Sequence, residues 1–115
     1  MDLNEKIIKL LETTGLPVEQ DEYTGEDKKY IVFTYEDEGP NAWGDNRPIA
    51  DTAYMQIQLI TPKNYNYFHM KEKIRNLLEE ADFSVTSIRT FLGDVYVGTE
   101  KTRQTIFQVE YTKGR

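Results

Sequence analysis

The side chains able to do chemistry are few and scattered along the chain. His69 is the only histidine. An imidazole acting as a base or a metal ligand needs partners within reach, and no Ser/His/Asp set at a recognisable spacing accompanies it. It reads as a half-exposed helix residue. Two acidic clusters stand out: Glu19, Asp21, Glu22, Glu26 and Asp27, then Glu36, Asp37 and Glu38. Carboxylates bind calcium or magnesium, but a calcium loop places its ligands at fixed intervals around a central glycine. Neither cluster has that spacing, so each reads as a solvated turn or an electrostatic interface. The run Gly93-Asp94-Val95-Tyr96-Val97-Gly98 lacks both a strand-to-helix context and a following lysine–serine pair. It reads as a turn, not as a phosphate-binding loop. No catalytic, cofactor-binding or metal-binding residue is assigned.

Three residues are better suited to contact than to catalysis. Trp43, the single tryptophan, sits in a long polar segment, either folded back onto the domain or held out for a partner. Tryptophan and arginine are both enriched at interface centres, and Arg47 lies four residues on. Arg103 belongs to a basic closing segment with Lys101, Lys113 and Arg115. An acidic front half and a basic tail suit head-to-tail packing of identical subunits, which needs complementary patches. The plainer reading is a mixed charged surface.

Composition narrows the class. With 115 residues the chain reads as one domain, 1–115, able to bury roughly two-thirds of its unfolded surface. The absence of cysteine removes disulfides, zinc–thiolate sites and thiol catalysis. A net charge of -6 disfavours sequence-independent nucleic-acid binding, which relies on a basic footprint. No segment approaches the ~20 apolar residues of a membrane span, and no leader pattern opens the chain, so an intracellular protein is expected. Aromatics reach 12%, with eight tyrosines, a residue suited equally to strand faces and interfaces.

The elements that must hold these residues follow from patterning. Leu3, Ile7, Ile8, Leu10 and Leu11 recur at helical spacing, with Asp2 as cap, Glu5 three residues on, and Gly15 and Pro17 as stops. A first helix over 3–14 is expected. Residues 17–23 suit a short strand, 24–27 a turn, and the aromatic and β-branched 29–36 a strong strand. Residues 37–49 hold glycines, prolines and asparagines and read as a long irregular loop. Strict alternation over 50–61 predicts a strand, with Gln56 and Gln58 on a wet or interface-facing side. A second helix is expected over 65–80, with Phe68, Ile74, Leu77, Leu78 and Ala81 facing the core. Strands at 84–91 and 102–112, joined by a turn-rich link over 93–101, complete the chain. The expected class is α+β, in the order α-β-β-β-α-β-β. It implies a mostly antiparallel sheet of about four to six strands with two helices packed on one face.

The second half carries a family resemblance. Tyr54-Met55-Gln56-Ile57-Gln58-Leu59-Ile60 leads into a helix ending Ile74-Arg75-Asn76-Leu77-Leu78-Glu79-Glu80-Ala81-Asp82-Phe83. Ser87-Ile88-Arg89 and Thr102-Arg103-Gln104-Thr105-Ile106-Phe107-Gln108-Val109-Glu110-Tyr111 follow. In element order and patterning, with its opening helix, the chain resembles the tail-terminator and tail-completion (head–tail joining, minor tail or minor capsid) proteins of long-tailed phages and prophages. That resemblance implies a non-enzymatic structural protein without cofactor, assembling as a homohexameric ring. Its partners would be further copies of itself, the tail tube protein and the head–tail connector protein. It would act at the virion tail or head–tail junction, after assembly in the host cytoplasm. An acidic ring lumen would repel rather than grip DNA. The family supplies no residues to transfer, so Trp43, Arg47 and Arg103 remain the interface candidates. The alternative is a small acidic adaptor or inhibitor-type protein acting on a basic partner. A third reading is a small enzyme with a metal held by carboxylates such as Asp37 and Glu38.

Overall fold

A computed structural model describes residues 2–44, 47–97 and 100–114, with side chains described outside 41–49, 94–99 and 114. Helix α1 (Leu3–Glu12) is followed by strands β1 (Val18–Gln20), β2 (Tyr30–Gly44) and β3 (Arg47–Pro62). Helix α2 (Phe68–Glu80) and strands β4 (Ser84–Val97) and β5 (Glu100–Gly114) complete the chain. The class and element order are those expected. The five strands form one sheet in the order β1-β2-β3-β5-β4. Every pairing is antiparallel except β1 with β2, which is parallel.

The helix ends follow the local sequence. The Asp2 carboxylate accepts the Glu5 amide at 2.8 Å, the expected cap. Gly15 adopts φ +86°, a left-handed conformation that glycine takes without steric penalty, and so stops α1. At the end of α2 the left-handed position falls to Asp82 (φ 68°), and the Phe83 amide returns to the Leu78 carbonyl at 3.0 Å. That six-to-one bond is the usual closure of a helix terminus.

Both helices cover one face of the sheet. Ile7 and Leu11 from α1, with Ile74 and Leu78 from α2, join Ile31, Phe33, Met55, Ile57, Phe107 and Val109 in one buried cluster. Burying such a side chain contributes about 1.5–3 kcal/mol relative to exposure. Lys6 tightens the seam: its ammonium lies 4.5 Å from the Tyr111 ring centroid and 5.5 Å from that of Phe83, and it donates to the Tyr111 hydroxyl at 3.0 Å. The Tyr35 hydroxyl donates to Asn4 Oδ1, tying β2 to the same helix. The other face carries no helix. Gln56 and Gln58 lie there, hydrogen-bonded to one another at 2.8 Å, beside the exposed Tyr54.

Three sequence expectations need correction. Residues 37–49 are not an irregular loop: β2 and β3 run on through them as a paired ribbon to Gly44↔Arg47. Register shifts at Tyr35/Asp37, Pro40/Ala42 and Ala42/Trp43 absorb the residues that disfavour a regular ladder. Likewise 93–101 is no simple turn. β4 and β5 continue to Val97↔Glu100 after a shift between Leu92 and Tyr96. Phe68 does not face the core. It is the first residue of α2 and is 57% exposed, because the helix begins three residues later than the pattern suggested. The turn expected at 24–27 falls within the longer connection 21–29 between the parallel strands β1 and β2.

Two stability predictions follow. Leu78→Ala should lower unfolding free energy by about 2–5 kcal/mol, whereas Phe68→Ala should change it by less than about 0.5 kcal/mol, both read by urea denaturation. Burial, then the nearby carboxylates of Glu38 and Asp2, raise the pKa of Tyr35 above its ordinary 10.0. Unfolded Tyr35 ionises at the ordinary value while the folded side chain keeps its proton. Its stability contribution is therefore complete below pH 10.0 and lost as pH rises through the folded pKa. Denaturation midpoints measured across the alkaline range should fall less steeply for Tyr35→Phe than for the wild type.

Candidate interaction surface

Strand β5 positions Arg103 where the sheet meets the start of α2. Its register partners are Thr61 on β3 and Leu92 on β4. The guanidinium carbon lies over the Tyr67 ring, 5.2 Å from its centroid, a cation–π contact. Nη2 donates to the Lys63 carbonyl at 3.5 Å, the outer limit of a hydrogen bond. Nε is buried and has no acceptor. Beside it the fully buried Thr61 also has a hydroxyl without a partner. Among the described residues no carboxylate lies within ion-pair distance of Arg103.

Aromatic and apolar groups surround this cation. Tyr67 and Phe68 stack with centroids 4.7 Å apart. The Lys71 ammonium lies 4.9 Å from the Phe68 ring centroid and 3.8 Å from its neighbour Glu72. Phe68 and Leu92 are exposed at 57% and 44%. Exposed Lys63 and Lys101 share a shallow depression with Leu92 and Glu100. Aromatic rings, arginine and exposed apolar side chains in one place form the composition of an interface centre.

Trp43 and Arg47 lie at the other end of the sheet. Their backbones pair with Pro48 and Gly44 near the tip of the β2–β3 ribbon, and their side chains lie outside the described residues. Trp43 and Arg103 are therefore not neighbours. The acidic residues Glu36, Asp37 and Glu38 are exposed at the base of the ribbon. Glu36 borders a shallow pocket with Tyr54, Thr86, Gln108 and Glu110 on the helix-free side.

The earlier acidic cluster is largely local structure. Glu19 accepts from the Thr24 amide at 2.8 Å and the Thr24 hydroxyl at 3.1 Å, pinning the segment after β1. Tyr23 folds over Tyr30 with centroids 3.9 Å apart. An open groove lies between this segment and the end of α1, lined by Glu12, Leu16, Glu19 and Lys29. His69 is exposed in the first turn of α2. Among the described residues no group of three or more His, Asp or Glu side chains is placed to hold a metal ion. Nor, among them, is any helix long and apolar enough to cross a membrane.

Of the surface around Arg103, the arginine alone was picked from sequence. The sequence pattern places Phe68 in the core. The missed signal is Tyr65-Asn66-Tyr67-Phe68, which begins three residues after Pro62. Aromatics ahead of a helix start cannot all face a core that the helix has not yet reached.

Neither a protein-family model nor a curated protein matches the sequence. One solved structure, which carries only a sequence identifier for a name, is similar at 13% identity. The match covers 96% of this chain and 89% of that one, with a TM-score of 0.48.

If Arg103 serves contact rather than folding, Arg103→Met should change unfolding free energy by less than about 1 kcal/mol, since a guanidinium without a carboxylate partner adds little to stability. A loss of about 3 kcal/mol or more in urea denaturation would instead mark it as a structural cation.

Proposed function

We propose that this chain is a non-enzymatic structural protein of a long-tailed phage or prophage. In this reading it forms a ring that ends the tail tube, joins the tail to the head connector, or does both. The observation that carries the proposal is the tapering sheet. The molecule measures 56 × 25 × 23 Å, and its β2–β3 ribbon runs past the last β3–β5 pair, Ala50↔Gly114. At the other end the β4–β5 ribbon runs past Pro62↔Thr102, the last pair of β3 with β5. Two-stranded ribbons are marginal on their own in water. Ribbons projecting from a small helix-backed core suit a subunit whose neighbours cover them.

The element order named in the resemblance supports the same reading. The mechanism is surface complementarity: one side of the ring matches the last tube ring and the other the connector. No cofactor, catalysis, nucleic-acid specificity or membrane contact is part of it.

Two experiments test the proposal. Light scattering across a wide concentration range should yield the mass of a hexamer, with rings visible in stained images. Deleting residues 40–47 in the phage should give tails of abnormal length or tails unjoined to heads by electron microscopy. Normal, correctly joined tails would remove the ribbon from the mechanism.

A further inference from the structure

We infer that the cationic, aromatic shelf around Arg103 receives the acidic segment Glu36, Asp37 and Glu38 of a second copy of this chain, in a head-to-tail contact. This inference rests on the ring-forming reading and assigns its interface.

Arg103, at the centre of the shelf, has no carboxylate partner among the described residues. The Arg103 guanidinium lies over the Tyr67 ring and, among the described residues, has one weak acceptor, the Lys63 carbonyl at 3.5 Å. Lys71 has only its sequence neighbour Glu72, at 3.8 Å. Guanidinium pairs most strongly with carboxylate, through charge-assisted and often bidentate hydrogen bonds. Phe68, exposed at 57%, supplies an apolar anchor at the same place.

The acidic segment has the opposite need. Glu36, Asp37 and Glu38 are consecutive and exposed, and among the described residues none of them takes part in an ion pair. Glu110 on β5 shares the pocket beside Glu36, and the exposed Tyr54 provides an aromatic there.

The two surfaces cannot meet within one chain. Glu38 pairs with Ala53 on β3, whereas Arg103 pairs with Thr61. Those positions are eight residues apart on one strand, about 26 Å at the usual rise. The shelf lies by the start of α2, and the Glu36 pocket opens on the helix-free side. Complementary patches at different positions on one chain make a heterologous contact, which closes into a ring or extends as a filament.

A charge-reversal exchange tests the pairing. One variant carries Glu36→Lys and Glu38→Lys; the other carries Lys63→Glu and Lys71→Glu. All four side chains lie outside the buried core, and circular dichroism checks that both variants fold. Light scattering at a concentration where the wild type associates should find each variant monomeric. An equimolar mixture should regain the wild-type mass, because each altered surface then meets an opposite charge. Wild-type mass in either folded variant alone, or no recovery on mixing, overturns the pairing while leaving the ring reading intact. A wild type that stays monomeric to its solubility limit overturns the contact between copies, and the phage deletion then judges the terminator reading separately.

Discussion

The structure depends on one constraint: a five-stranded sheet with helices on one face only must bury that face against them. Phe33, Ile57 and Phe107 lie on three adjacent strands, and Ile7, Leu11, Ile74 and Leu78 close over them. The two helices are short, ten and thirteen residues, and neither would persist alone in water. They exist because the sheet supplies their apolar partner. The long strands in turn need the helices to hold a single register, since a one-residue slip would carry Ile57 and Phe107 to the open face.

That division explains where the surface is left over. The helices cover the middle of the sheet, so the ends of four long strands extend past the cover as ribbons. The other face keeps Gln56, Gln58 and Tyr54 toward solvent. Even there two isoleucines are largely buried without a helix, Ile60 at 2% and Ile106 at 8%. Each is flanked in register by longer side chains, Tyr30 and Gln104 for the first and Gln58 and Arg89 for the second.

Much of this was legible in the residues. The alternation from Ala53 to Leu59 and the helical spacing of Ile7 with Leu11 report burial on one side, which is the property that the fold selects. The ribbon was not legible, because Gly39, Pro40 and Asn41 signal a break wherever they occur in isolation. Pairing with a partner strand, made possible by register shifts, overrides that local preference. The same holds for the shelf. Arg103 could be picked as a basic residue near the end of the chain. Its place over the Tyr67 ring needs the crossing of β5 under the start of α2, a contact between residues 36 positions apart in sequence. Local patterning cannot encode it.

The unpaired groups at the shelf bear on why a polar site persists at the edge of a small core. A buried Nε without an acceptor and a buried Thr61 hydroxyl without a partner are each unfavourable in the isolated chain. Apolar residues of similar shape would fill the same corner without that penalty. Groups that reduce the stability of a monomer are useful where the monomer is not the working form. A guanidinium already resting over a ring loses less entropy when a carboxylate arrives. In the proposed contact between copies, stability given up in the free subunit would become specificity. The same logic fits the separation of the acidic residues on β2 from Arg103 on β5, since in the proposed contact opposite charges too far apart to neutralise one another within a chain meet on neighbouring copies.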